Sequence, residues 1–410
     1  MFSRVLRIGV LVVGVLVATY LIGNSGWIWI SGSGLEAKLA ALRAAGDPVS
    51  LPDLARPVPD PEQNAAILLS RARKDVGSMN KEMIALASPA YFDDEVNLTE
   101  DDCKKLASLV NAYPQVFPLL EQAGACTTYD AQLDYTASPD AVMSAVIADA
   151  ADFRGVIAVL RARCRMQLAE GHHREALQTG ILELRLARLY ENNAVLINEL
   201  VVCAARGIGV RLCNQALRAA PVPNEDRDAL ETEAARHDGL DGFARTLKNE
   251  RAFGLSNFAS LRNWLNRGYC NAEESNYLDL VQEQIDLTKA PYADFTKAMN
   301  MFKAKLSNQY PLAKMWLPAA QKTREAVEGS RGMVRCLRVL NALQRADAKP
   351  ADGVPDLATL KLPNGATIDP FTEQALPVEV VDGQWLIYTV GPFYKPVEPH
   401  RWGVGPVSGK

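Results

Sequence analysis

Apolar residues recur along most of this chain at helical spacing, in runs separated by short polar or proline-rich breaks; only residues 346–410 change period. Before the first stripe lies a segment with no polar face. From Ile8 to Ile22 only Thr19 and Tyr20 carry polar side-chain atoms, and after Gly23-Asn24-Ser25-Gly26 comes Trp27-Ile28-Trp29-Ile30. As helix, Ile8 to Ile30 is long enough to cross a hydrocarbon layer roughly 30 Å thick. Arg4 and Arg7 abut it, the next basic residue is Lys38, and paired tryptophans at the far end suit a membrane interface. The pattern predicts an uncleaved anchor spanning residues 8–30, with the N-terminus cytoplasmic and the bulk of the chain outside. A cleaved secretory signal is the competing reading. No A-x-A follows the apolar run, which leaves Gly23–Ser25 and Ser31–Ser33 as the available sites.

Gly32 to Gly34 reads as a hinge into a short helix, Leu35 to Ala45, that Gly46 ends. A connector from Pro48 to Pro61 follows, extended because proline removes backbone donors. Helix is expected to resume at Asn64-Ala65-Ala66 and run to about Arg73. Thr99 with Asp102 forms the cap of a helix over Glu100 to Ala123. Phe153, Val156, Ile157, Leu160, Cys164 and Leu168 mark one apolar face. Gly171-His172-His173 breaks it, and helices over Glu175 to Tyr190 and Ile197 to Ala219 follow, the second stopped by Pro221 and Pro223. Longer stretches are predicted over Asn224 to Tyr269, Glu273 to Lys305 and Gln321 to Arg345. The glycines of Arg206 to Val210 read as positions where two helices approach closely.

In the last 65 residues, Val378 to Val381 and Gln384 to Val390 flank Asp382-Gly383, a strong hairpin signal. Leu386, Tyr388 and Val390 alternate with Trp385, Ile387 and Thr389, so the second strand is expected to be covered on both faces.

Three resemblances accompany these patterns. Residues 168–187, with a small residue before the Gly171 turn and then Glu175-Ala176-Leu177, resemble one tetratricopeptide-like hairpin, although no 34-residue self-similarity surrounds it. Gly46 to Pro48, the proline-rich connector and Asn64 to Ala66 resemble the start of a group of uncharacterised membrane-anchored bacterial envelope proteins, associated chiefly with planctomycetes. The tail resembles the C-terminal part of type II secretion pseudopilins in its order of motifs. These are a helix (Val334 to Arg345), a G-x-P element with a leucine after it (Gly353 to Leu357), D-P-F (Asp369 to Phe371), a hairpin, and a strand end (Ile387 to Gly391). The strand end departs from the L-Y-S-x-G pattern at Ile387 and Thr389. In secreted relatives an acidic loop after that glycine binds calcium. Here Gly391-Pro392-Phe393-Tyr394-Lys395-Pro396 has no carboxylate, and calcium needs several oxygen ligands. The Gly-Phe junction and early glutamate of a pilin are also missing.

The expected fold is therefore mainly α: a single N-terminal transmembrane helix, an antiparallel bundle with a tetratricopeptide-like hairpin, and a small α+β tail with a hairpin. The divisions are residues 1–34 for anchor and hinge, 35–345 for the helical extracytoplasmic domain and 346–410 for the tail.

Charge and chemistry narrow the function more than they specify it. A net charge of −4 and a pI near 5.8 disfavour nucleic acid as a partner. Seven cysteines form no C-x-x-C pair. Cys164, Cys203, Cys213 and Cys336 read as small buried hydrophobes, and Cys103 with Cys126 as a candidate bridge. The four histidines, His172, His173, His237 and His400, make no zinc motif, and no metal or cofactor is expected. The candidate site residues are buried-looking charges. Glu199 lies in an otherwise uncharged run, where its carboxyl either has a raised pKa and acts as acid or base, or pairs with Arg163 or Arg206. Glu250 and Arg251, amid Phe243, Leu247 and Phe253, invite the same two readings. The leading expectation is a non-enzymatic membrane-anchored interaction or scaffold protein with protein partners in the envelope. The alternatives are an envelope enzyme using carboxylates in an inter-helix cleft, and a ligand-binding module built on the aromatic stretch Phe243 to Trp264.

Overall fold

A computed structural model describes residues 2–86, 88, 91, 98–192, 195–263, 265–306, 310–363, 365–391 and 403–405. The expected motifs at Trp264, residues 392–396 and His400 lie outside them.

The first helix, α1 (Phe2–Ala44), is unbroken. No hinge interrupts it at Gly32–Gly34, which corrects the expectation. Glycine is a poor helix former, but these turns are packed. Gly32 faces Asn271, the Asn271 amide donates to Ser31, and Leu35 is buried. Among the described residues α1 is the one helix long and apolar enough to cross a membrane. Its side chains at Leu11, Leu16, Ile22, Trp29 and Ile30 are exposed.

The connector is not wholly extended. It makes short 3-10 turns at Leu51–Leu54 and Pro61–Gln63, and Leu51 and Leu54 are buried in a cluster with Phe253. Asn64 then caps α2 (Ala65–Ala85) by accepting from the Ala66 amide. Thr99 and Asp102 form the expected capping box on α3 (Glu100–Ala112). The helix expected to reach Ala123 instead ends there, and α4 (Val116–Ala125) starts after Pro114, which has no N–H to continue the ladder. Helices α5 (Pro139–Ala169), α6 (His173–Tyr190) and α7 (Leu196–Ala219) run as successive antiparallel neighbours. The α5–α6 turn uses Gly171 at φ +79°. Gly209 abuts Leu184 and Gly180 abuts Cys213, so α6 and α7 approach closely, as the Arg206 to Val210 glycines predicted.

The stretch Asn224 to Tyr269 is divided, not continuous: α8 (Asn224–Ala235) and α9 (Asp241–Leu261) flank a turn through Gly239, and α10 (Arg267–Asp286) starts a new helix. Pro291 likewise separates α10 from α11 (Tyr292–Lys305). The short α12 (Pro311–Met315) precedes α13 (Ala320–Arg345), which is buried along nearly its whole length. All seven cysteines are free thiols, including Cys103 and Cys126, and Cys164, Cys203, Cys213 and Cys336 are buried.

The tail forms a three-stranded antiparallel sheet in the order β1 (Val378–Val381), β2 (Gln384–Tyr388), β3 (Gly403–Val404). Asp382 and Gly383 both have positive φ, 51° and 71°, as a two-residue hairpin loop of the twist-matching kind requires. Trp385 to Tyr388 are all buried, so β2 is covered on both faces. The sheet is not a separate unit: Leu376, Trp385, Ile387 and Val404 share one core with α6, α7 and α13.

Asp369 of the D-P-F element holds this tail together. Fully buried, it accepts hydrogen bonds from the Phe371 amide at 3.0 Å, the Val390 amide at 2.8 Å and the Thr389 hydroxyl. Thr389 in turn packs on Gly332 of α13, where a Cβ would crowd its methyl. Asp369→Ala would leave three donors without their acceptor and is expected to cost about 3 kcal/mol or more, whereas Thr389→Ser keeps the donor and costs about 1 kcal/mol or less. Chemical denaturation of the two variants checks this, and comparable small losses for both would show that the clamp contributes nothing.

Candidate functional site

Glu199 sits in the first turn of α7, 2% exposed. Neither expected arginine pairs with it. Arg163 pairs with Glu121 at 2.8 Å. Arg206 pairs with Glu191 at 2.5 Å and donates from Nε to Nδ1 of His237 at 2.9 Å. Glu199 is left with the Cys203 thiol, 4.0 Å from its Oε1. Burial pushes its carboxyl up to about 7, against the pull of Arg206, and pushes the Cys203 thiol up to about 12. His237, buried between Arg206 and Arg188, is held well below the usual imidazole value by desolvation and then by those cations. It is therefore neutral, and the Arg206 bond assigns its proton to Nε2.

Glu250 and Arg251, adjacent on α9, serve different contacts. The Glu250 carboxylate accepts from the amide of Leu196 at 2.7 Å, the first residue of α7, where a helix N-terminus favours negative charge. Burial raises its pKa and that bond opposes the rise. Arg251 has no exposed surface and donates to Asp47 at 2.7 Å and Gln282 at 3.0 Å. Lys248 adds a second bond to Asp47 at 2.6 Å. Burial pushes the Asp47 carboxyl up, but the bonds from Lys248 and Arg251 outweigh it, and its pKa lies below the usual range. Arg251 thus ties the residues just after α1 to α9 and α10. The three candidates do not converge on one point.

A cleft forms elsewhere, between α2 and α5, with a volume of about 410 Å³. Asp149 and Asp152 of α5 line it, with Arg71, Arg73 and Asn80 of α2 and Tyr129 from the loop before α5. Arg73 pairs with Asp152, and the Tyr129 hydroxyl donates to Asp149 at 2.6 Å. Burial, then the Asp149 charge, hold that hydroxyl well above its ordinary pKa. The Asn80 amide donates to the Gly155 carbonyl at 3.0 Å while its oxygen has no partner among the described residues. Stacking of Phe153 on Tyr190 at 4.0 Å, with Tyr129 edge-on to Tyr190 at 5.0 Å, stiffens the cleft wall. Asn64, the helix-start residue, also accepts from the Asp130 amide and donates to its carbonyl, and so pins the loop. With Asp152 paired and Asp149 accepting from Tyr129, the cleft suits recognition of a small polar ligand better than proton transfer.

This cleft lies apart from the sequence-predicted site residues. Its signal was present as an i, i+3 carboxylate pair on α5 and two arginines at i, i+2 on α2, but which faces meet is a tertiary matter. A second, shallower depression of about 630 Å³ lies over Asp47, Arg245 and Lys248. Glu199 lines neither. Nor do Phe243 and Phe258 of the aromatic stretch, which pack into the core against Phe295 at 6.5 Å and Trp316 at 4.8 Å. No family model matches the chain, and no curated protein or solved structure matches it.

Glu199 makes stability depend on pH with a definite sign. Below about 4.5, its ordinary value, it is neutral folded or unfolded. As pH rises towards about 7 the unfolded chain loses this proton while the folded one keeps it, so the group's contribution falls across that window and is level above it. At about 1.4 kcal/mol per tenfold change in proton affinity, the loss is on the order of 3 kcal/mol. Glu199→Gln is expected to gain stability relative to the parent between pH 5 and 7 by roughly that amount, read from denaturant midpoints at each pH. A difference that stays flat across the window would mean that Glu199 is ionised throughout.

Proposed function

We propose that this chain is a membrane-anchored interaction scaffold of the cell envelope. Its body would lie on the extracytoplasmic side of the inner membrane, and α1 would span the membrane once. The observation that carries the reading is the joint between α1 and the body. The apolar helix continues without a break into a seam with α10, reinforced by Lys38 bridging to Asp279 at 2.6 Å and by Asp47 held from α9. A body joined in this way is held at one height and orientation over a bilayer and presents its helical surface to whatever stands beside it. Arg4 and Arg7 before the apolar run favour a cytoplasmic N-terminus. The pseudopilin-like motif order of the tail suggests, by analogy, contact with secretion or surface-filament components. The engagement of Glu250 and Arg251 in structural contacts, and the position of Glu199 away from both clefts, count against catalysis by those residues.

The α2–α5 cleft favours a second reading, in which the body binds a small polar ligand or acts on an envelope substrate there. In-cell crosslinking of the full-length protein separates the two. Reproducible capture of envelope components, unaffected by a combined Arg73→Ala and Asp152→Ala substitution, is the outcome expected of a scaffold. Capture of nothing beyond the chain itself would sink that reading, and the same double variant then becomes the negative control in a thermal-shift screen of polar ligands.

A further inference from the structure

The seam between α1 and α10 has a direction. The Trp27 ring lies against Gly268, where no Cβ would fit; Ser31 and Gly32 meet Asn271; Lys38 reaches the Ser275 carbonyl and Asp279. Residue numbers rise together on both helices, so α1 and α10 run parallel. At 1.5 Å per residue, Ile8 to Trp27 covers about 28 Å, close to the thickness of a bilayer's hydrocarbon core. Trp27 therefore marks the outer boundary of the span, and Gly268 stands at the same height. The turn that enters α10 precedes Gly268, and parallel packing puts it on the bilayer side of that level.

The side chains at this end are those a lipid interface takes up. Leu261, Leu265 and Tyr269 are 43%, 66% and 47% exposed, and Arg267 is an exposed cation with no ion-pair partner among the described residues. Apolar residues beside an unpaired arginine match the boundary between acyl chains and phosphate headgroups, and Gly268, next to Tyr269 in the chain, lies against Trp27 of α1.

We propose that the α9–α10 turn is a second membrane contact, with Leu261, Leu265 and Tyr269 seated among the acyl chains near the headgroups and Arg267 on lipid phosphates. The inference rests on α1 spanning the membrane. It makes the body a part of the interface rather than a load on a tether.

The test uses the full chain in phosphatidylethanolamine–phosphatidylglycerol vesicles, with half-buried Cys103 replaced by serine. A fluorophore is attached at Leu265→Cys, at Tyr269→Cys as an independent second site, at Val17→Cys within the span, or at Val354→Cys beyond the far end of α13. Nitroxide lipids quench either near the headgroup or deep in the acyl region. The expected result is deep quenching at 17, loss of most fluorescence at 265 and 269 to the shallow quencher, and none at 354. Quenching at 17 with 265 and 269 as unaffected as 354 would overturn the contact while leaving the anchor, and would indicate that protein or water covers the patch. No quenching at 17 would overturn the spanning helix and the contact together.

Discussion

Burying arginine is the constraint around which the body is arranged. Arg324, Arg331, Arg335 and Arg338 of α13 are each at most 9% exposed, and a guanidinium taken out of water must be met by hydrogen-bonding partners or the fold fails. Those partners come from every side. Arg324 reaches Glu328 on its own helix and the carbonyls of Thr288 and Ala290 in the turn before α11. Asp238, in the turn between α8 and α9, takes Arg331, Arg335 and Arg338, while Glu231 of α8 takes Arg338 again. Arg335 also donates to the carbonyl of Ile368, one residue before the Asp369 clamp. A single helix thereby specifies where α8, the α11 approach and the sheet must sit. Apolar packing against α7 and the sheet buries its other side.

A second seam does for α1 what α13 does for the body. Small residues bring α1 and α10 together, Gly268 beneath Trp27 and Gly32 beside Asn271. Charged contacts at Lys38 and Asp47 then close the seam above them. The low helix propensity of Gly32 and Gly34, on the order of 1 kcal/mol each relative to alanine, is offset by this packing. An unbroken, docked helix fixes the direction of α1 relative to the body, which a flexible glycine hinge would not. In the proposed role, that coupling would carry the orientation of the anchor to the body.

The buried charges that looked most like chemistry divide by the company they keep. Arg206 has an anion and an imidazole beside it, Arg251 an aspartate and a glutamine, Glu250 a helix N-terminus. Glu199 has a thiol, and it retains its proton up to about pH 7. A neutral carboxylic acid in an apolar run is a tolerated core residue, and neither of the two clefts described above reaches it. Polar groups also share an open cleft between α2, α5 and the loop pinned by Asn64.

What the sequence determined by itself was local in origin. The uncharged run of α1, the 3.6-residue stripes, the Thr99–Asp102 box, the Asn64 cap and the Asp382-Gly383 turn each depend on residues a few positions apart, so each was legible and formed. Breaks at Pro114 and Pro291 were equally local and were passed over because the apolar pattern runs on across them. Pairings between separate elements followed from the packing instead: Arg206 with Glu191 rather than Glu199, Asp369 with Thr389, Arg251 with Asp47, and the facing of α2 on α5 that opens the cleft. The packing also decided that α1 runs unbroken through its glycines. A residue's neighbours along a helix follow from its spacing. Its partner on another helix depends on how both are rotated and where they cross, and that is set by the packing of the whole body.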